Sequence, residues 1–337
     1  MHRHEEGPRW PDLRRRVLIA LAVVGVVVVG AGVIVAAFIR SLANDFDNGR
    51  QVIASASAFP APNLRAPQAQ GAAQNILLLG SDSNGAKPAS LDAVRGQRSD
   101  TMMLVHVPAD RKHLYVISIL RDSWVTVPGH GQAKINAALA YGGVPLVIQT
   151  LENLTHVRID HVAIVSFSGF SGLTDALGGV VVDNSVPFAI GGERFPVGLQ
   201  RLDGKRALLF VRARHPFPDG DYQRVRNQQA YLKGVVRTVL TPGTLLDPLK
   251  VTNTVKAISP YLLVDEGLNS GYAGPMAVSL RSLRSSDIRF FSMPTTGTST
   301  VGAQSVVLLD QPRLAQLAQL LRADQVDRFT PCSGDTC

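Results

Sequence analysis

From Val17 to Ile39 the chain runs for 23 residues without a charged side chain. As a helix this stretch would be roughly 34 Å long, enough to cross a ~30 Å hydrocarbon core. Arg14, Arg15 and Arg16 stand just before it. Positive flanks stay in the cytoplasm, so everything after the span is expected outside. A cleavable signal peptide has a shorter apolar core, about 7–15 residues. The nearest small-residue pattern, Ala54-Ser55-Ala56, also lies too far downstream for cleavage. The expectation is therefore an uncleaved anchor: 1–16 cytoplasmic, 17–39 transmembrane, the rest extracytoplasmic.

The remaining sequence reads as one large folded domain. Hydrophobic residues make up 45% of the chain, too many for a disordered one. Two cysteines cannot staple 337 residues, and no second stretch is long enough to span. Residues 41–74, rich in Ala, Ser, Pro, Gln and Asn, show no sustained periodicity and read as a linker or stalk. The domain is placed at 75–325 and a tail at 326–337. In the tail, Cys332 and Cys337 could close one small disulfide loop outside the cell.

Within the domain, Asn75–Gly80 is an apolar run that ends in glycine, a buried strand. Thr101–Val107 and His113–Ile119 flank Pro108–Lys112 and predict a hairpin. Lys134–Leu154 has a helical pattern broken at Gly142-Gly143. Asp160–Phe167 reads as a strand, and Phe170–Leu177 as a helix stopped by Gly178-Gly179. Asp221–Leu240, Pro275–Leu283 and Pro312–Leu321 read as helices, with strands at Ile288–Ser292 and Ser305–Leu309. Alternating strands and helices give an α/β class with a mixed central sheet flanked by helices.

The usual catalytic motifs are absent: there is no P-loop, no G-x-S-x-G and no H-E-x-x-H. Asp and Arg residues stand at strand ends instead: Asp82, Arg98 with Asp100, and Arg121 with Asp122. Ligands of α/β sheets bind beyond strand ends, although Asp, Ser and Gly also favour turns for their own sake. The segment 212–228 holds Arg212, Arg214, Asp219, Asp221, Arg224, Arg226 and Gln228. On a helix Asp221, Arg224 and Gln228 share one face, joined by Asn227, whereas Arg226 points about 160° from Arg224. Arg212 and Arg214 follow the apolar run Ala207–Val211, where the chain should be leaving the core. Arginines held beside carboxylates suit a pyrophosphate with a divalent cation.

These residues also resemble a family. Taken in order, Asn75–Asp82, Arg98–Met103, Ser118–Ser123, Lys134–Ala138, Ile159–His161, Asp175–Val180, Leu202–Gly204, Val211–Arg214 and Gly220–Gln229 are similar to the LytR-CpsA-Psr proteins of bacterial envelopes. The resemblance runs from Asn75 to about Asp324, and the single N-terminal anchor fits it. It implies transfer of a glycopolymer from a polyprenyl-pyrophosphate carrier to peptidoglycan. It puts Mg²⁺ (or Mn²⁺) on Asp82 and Asp100, and pyrophosphate on Arg98, Arg121, Lys134, Arg212, Arg214, Arg224 and Gln228, with Asp221 beside them. Asp100 or Asp82 would accept the attacking hydroxyl's proton. Leu146–Leu154 could line a tunnel for the lipid. Three residues depart from the family pattern: Leu120 for a proline, Asn84 for an arginine and Asn227 for a second arginine. The loss of charge at Asn227 is expected to weaken phosphate contact.

Two alternatives remain at this point: hydrolysis of the same donor by water, and a non-catalytic anchored binder of lipid-linked polymer. Nucleic acid is not expected as a partner. The chain carries +8 in total. Residues 1–40 hold a share of it that sets topology, and the arginines beyond are local rather than a broad basic surface.

Overall fold

The apolar run at Asn75 becomes the centre of a seven-stranded sheet. In the computed structural model of the chain the described residues are 33–68, 71–81, 99–215, 217, 219–241, 243 and 247–332. Contacts divide the chain into two units, Met1–Asn44 and Asp45–Cys337. Residues 33–49 are helical (α1). Among the described residues no helix is long and apolar enough to cross a membrane, and most of the expected anchor, 17–32, lies outside them.

The first elements after α1 are β1 (Gln51–Ile53), α2 (Ser55–Ala58), β2 (Gln74–Ser81), β3 (Ser99–Val107) and β4 (Leu114–Ile119). A small hairpin, β5 (Trp124–Val127) with β6 (Gly131–Lys134), leads into α3 (Ala137–Thr155) and β7 (His161–Ser166). Then come α4 (Phe167–Ala176), β8 (Val180–Asn184), β9 (Phe188–Ile190), β10 (Glu193–Phe195), β11 (Gly198–Leu202), α5 (Gly204–Arg212) and α6 (Gly220–Val239). The chain closes with α7 (Pro248–Ile258), β12 (Leu262–Asp265), α8 (Ser270–Ser279), β13 (Ile288–Ser292), β14 (Thr295–Val301), β15 (Gln304–Leu309) and α9 (Gln311–Arg322).

The large sheet has the order β1-β12-β7-β2-β3-β4-β13. β2 pairs parallel with β7 and antiparallel with β3, and β4 pairs antiparallel with β3 and parallel with β13. The expected mixed sheet is therefore present, and β2, β4, β7 and β13 all end on the same edge. Alternate residues of β3 face opposite layers, which covers both faces of the sheet. Met102 and Leu104 pack with α3 and α9, whereas Met103 and Val105 pack with Leu232 of α6 and Met276 of α8.

The helix break foreseen at Gly142-Gly143 is found, with Gly143 at φ 67° inside α3. That helix begins only at Ala137, because Lys134 closes β6. Ala207–Val211 lies within α5. Its buried residues Ala207, Phe210 and Val211 recur at helical spacing and pack on Phe188, Phe195 and Tyr231 in a second core.

The stalk reading of 41–74 needs correction. From Asp45 onward this segment belongs to the folded unit, and β1 forms the sheet edge by pairing parallel with β12. Ile53 and Ala58 are buried in the main core. Arg65 Nε donates to both oxygens of Glu152 at 2.9 and 3.1 Å, and that carboxylate also accepts from Ala66 N and Ile159 N. A three-residue strand and a four-residue helix are too short to leave a periodic signature.

Cys332 is disulfide-bonded, and its expected partner Cys337 lies outside the described residues.

Candidate active site

After β4 the chain makes a turn in which Ser123 N donates to Leu120 O at 3.0 Å. Its backbone is held from two sides. Asn136 N donates to Arg121 O at 3.1 Å and Ile135 N to Ser123 O at 2.9 Å, while Val307 N donates to Asp122 O at 2.9 Å. Arg121 and Asp122 are thus fixed before any ligand arrives, at the end of a central strand. The β5–β6 register sets Trp124 opposite Lys134, which brings Lys134 beside the same turn.

Helix α6 is fixed just as firmly. Gln228 Nε2 donates to Thr101 Oγ1 of β3 at 2.8 Å, and Gln229 Nε2 donates to Ser118 Oγ of β4 at 3.0 Å. Tyr222 pairs with Thr295 through their hydroxyls at 3.0 Å. These bonds set the rotation of the helix, so Asp221 and Arg224 face the turn after β4. Arg214 reaches the same point from the segment after α5.

Four cations meet two carboxylates there. Asp221 lies 2.7 Å from Arg214 Nε, 3.2 Å from Arg224 Nη2 and 3.5 Å from Arg121 Nε. Asp122 lies 3.2 Å from Lys134 Nζ and 3.8 Å from both Arg121 and Arg214. The two carboxyl groups share Arg121 and Arg214 as neighbours. Arg224 is 4% exposed at its side chain and Arg214 is 38%, so the cradle is closed at its base and open toward Arg214.

The two acids are driven apart electrostatically. Burial raises the Asp122 carboxyl, but the neighbouring Asp221, the charge of Arg121 and contact with Lys134 outweigh it and hold Asp122 below the ordinary range. Burial and the nearby Asp122 push Asp221 above that range, against the pull of Arg224 and Arg121. Of the two, Asp122 is therefore the stronger acid.

Of the residues singled out from the sequence, Arg121, Lys134, Arg214, Asp221 and Arg224 come together. Gln228 stands one turn further along the same face of α6. Arg212 is exposed in the last turn of α5. Asp82 and Arg98 lie outside the described residues, as does Asn84. Asp100 is placed in β3 by its backbone, and Ser99 beside it pairs with Ser81. Asp122 stands at a strand end with Arg121 in the sequence, but the family resemblance gives it no role. Its adjacency in sequence gave no sign that its carboxylate would be shared by three cations.

Asn227 corrects an expectation. It was read as a lost phosphate contact on the inward face, but the residue is 1% exposed. Its Nδ2 donates to Phe210 O at 3.0 Å, and its Oδ1 accepts from Gln223 Nε2 at 2.8 Å. The side chain joins α6 to α5. Arg226 points elsewhere, as the helical spacing foresaw, and engages Asp219 and Gln223.

Two cavities adjoin these groups. One, of about 500 Å³, is lined by Arg121, Asp122, Lys134 and Arg214 together with Trp124 and Tyr141. The other, of about 210 Å³, is lined almost wholly by apolar groups, among them Leu78, Met103, Phe170, Leu173 and Tyr231, with Gln228 and Thr101 also on its wall. Gly80 pairs with Thr101 there, and a Cβ on Gly80 would meet the Thr101 Cβ at 2.9 Å. Within Leu146–Leu154, Val147, Ile148 and Leu151 pack in the core on the α3 side of the sheet, away from the apolar cavity.

Known proteins resemble this chain in sequence and in fold. The LytR_cpsA_psr family model matches residues 42–323. The cell wall biosynthesis protein LcpA of Corynebacterium glutamicum is 32% identical over 279 residues, covering 71% of this chain and 53% of LcpA. The polyisoprenyl-teichoic acid–peptidoglycan teichoic acid transferase TagU of Enterococcus faecalis is 36% identical over 182 residues, covering 54% of this chain and 58% of TagU. The chain thus spans little more than half the length of these two relatives. Bacillus subtilis TagV superposes with a TM-score of 0.64 at 23% identity, covering 78% of this chain and all of TagV. TagT bound to LI-WTA superposes with a TM-score of 0.61 at 23% identity, covering 79% of this chain and 98% of TagT. Both share the fold. The family match extends from α1 to the end of α9 and takes in every described residue of the cationic cradle, so the chain belongs to the LytR-CpsA-Psr family.

Proposed function

We propose that the cradle binds the pyrophosphate of a polyprenyl-linked glycopolymer and that the protein transfers the polymer to peptidoglycan. The observation that carries this reading is one face of α6. Asp221 and Arg224 hold the charged site, and Gln228, a turn later, lines the apolar cavity. A charged head group and an isoprenoid tail need that pair of surfaces side by side. The names of LcpA and TagU agree with such a role.

In the reaction an acceptor sugar hydroxyl attacks the phosphorus that bears the polymer. A new P–O bond forms, the bridging P–O bond breaks, and polyprenyl phosphate leaves with the electron pair. Such transfers depend on positioning and on stabilising charge as it develops. Arg121, Arg214 and Arg224 offer forked donors to the phosphate oxygens, and Lys134 adds a compact charge. Asp122 and Asp221 hold these cations at fixed spacing, so little reorganisation is needed when the donor binds. The hydroxyl proton is assigned to Asp100 or Asp82.

The described carboxylates do not make a metal site of their own. No group of three His, Cys, Asp or Glu side chains stands together among the described residues, and Asp122 and Asp221 are both engaged by cations. Mg²⁺ or Mn²⁺ is assigned to Asp82 and Asp100, whose hard oxygens suit either ion. Bound there, it would share in neutralising the pyrophosphate. An N-terminal anchor over 17–39 would keep the domain at the outer membrane surface, within reach of a lipid-borne donor.

The test is transfer by the full chain carrying Arg121→Ala or Arg214→Ala. Removing one preorganised donor of developing charge costs roughly 100-fold or more in rate. A rate equal to the unsubstituted protein's in both variants would reject the assigned site.

A further inference from the structure

Beside the cradle lies a third and larger cleft of about 620 Å³. It is bounded by the β5–β6 hairpin, α3, the β14–β15 hairpin and the start of α9. Its lining includes Trp124, Thr126, Gln132, Asn153, Thr296 and Gln311, and no ionisable side chain appears among the described residues on its wall. Trp124 and Gln132 also line the cationic cavity, so the two spaces share a wall.

The hairpin register explains the shared wall. Trp124 pairs with Lys134 and Thr126 with Gln132, and cross-strand partners point to one face. The opposite face carries Val125, Val127 and Ala133, all buried in the core. The outward face therefore runs from an ammonium group and an indole to an amide and a hydroxyl. Thr126 Oγ1 accepts from Gln132 Nε2 at 2.8 Å, which holds that amide in place. Over one short hairpin the chemistry passes from anion binding to neutral hydrogen bonding.

We propose that this neutral cleft takes the sugar chain of the acceptor, with Trp124 at the junction where the attacking hydroxyl approaches the phosphate. This rests on the transfer reading above and names a subsite that reading leaves open. Sugars have no charge to pair and many hydroxyls to satisfy, and their ring faces are apolar on one side. Amide and hydroxyl side chains around an indole answer those needs. An anionic polymer would find no cation among the described residues of the cleft, whereas it would find four in the cradle. The volume lies within the ~300–1,000 Å³ range of small-ligand sites.

The chain has two tryptophans, Trp10 and Trp124, which makes the test direct. The full chain carrying Trp10→Phe is titrated with tetra-N-acetylchitotetraose while Trp124 emission is followed. Inorganic pyrophosphate is titrated separately by calorimetry. The expected result is a saturable emission change, weakened about five- to tenfold by Asn153→Ala, which removes about one net hydrogen bond. Pyrophosphate affinity should not change in that variant, and an unchanged melting temperature would show that the fold is kept. No saturable change up to millimolar sugar, or equal sugar affinity in the Asn153→Ala protein, overturns the proposal. Sugar binding without pyrophosphate binding would instead overturn the reading of the cradle and leave the cleft standing.

Discussion

Removing Arg65 should unfold more than a surface substitution could. Its side chain is 6% exposed, and its partner Glu152 is fully buried at 2.8 Å from Arg65 Nη2. In Arg65→Ala the carboxylate stays buried and keeps only the amides of Ala66 and Ile159. Breaking a buried pair by deleting one member costs about 3–5 kcal/mol. Arg65 also lies 4.6 Å above the Phe59 ring, which favours the upper end of that range. Denaturant unfolding of the full chain would show the loss, and the melting temperature should fall by roughly 6–20 °C for a chain of this size. Arg65→Met with Glu152→Leu should recover only part of it, because the two amides still lack an acceptor. A loss under about 1 kcal/mol for Arg65→Ala would refute the claim that residues 51–66 are an integral edge of the domain.

Three further outcomes follow from the geometry. Asp160 is pushed above the ordinary carboxylate range by burial, against the hydrogen bond from Asn75 N and the charges of His161 and Arg158. A raised carboxyl contributes its stability at low pH and loses it as pH rises through the folded value, so Asp160→Asn should stabilise the protein at pH 7 and bring no gain below about pH 4 in thermal melts. Asn227→Arg should not increase affinity for a polyprenyl-pyrophosphate donor in a binding titration, and should lower stability by about 1–3 kcal/mol, because it removes the buried bonds to Phe210 and Gln223. Asp82→Ala should abolish Mg²⁺ binding by the full chain in a calorimetric titration; unaltered binding would move the ion elsewhere.

The legible parts of this fold share one physical cause. β2, β3, β4 and β7 are covered on both faces, so their sequences are continuous apolar runs, and the break at Gly142-Gly143 needs a backbone that only glycine adopts cheaply at φ 67°. β1 was invisible because three residues carry no period, and the Arg65–Glu152 pair spans 87 positions that no local pattern reports. The cradle shows the same split. Residue types and helical spacing gave one face of α6, with Asp221, Arg224 and Gln228 in line. Neither could show that Asp122 and Lys134 would meet that face, since this depends on how β4, the β5–β6 hairpin and α6 pack. Asn227 was misread for the complementary reason: spacing places a residue on a face but does not say which carbonyl waits there, and here Phe210 of α5 does.

If this cradle moves a polymer from a lipid pyrophosphate to the wall, transfer and carrier release must occur together. The most direct measurement uses the full chain in detergent, a polyprenyl-pyrophosphate donor carrying a labelled glycopolymer, and peptidoglycan as acceptor. Label in the insoluble wall and polyprenyl phosphate in solution are followed together, for the unsubstituted protein and for Arg121→Ala. Both products should rise in equal amounts, and both should fall roughly 100-fold in the variant. Polyprenyl phosphate released with no label in the wall, or equal transfer by the variant, would contradict it.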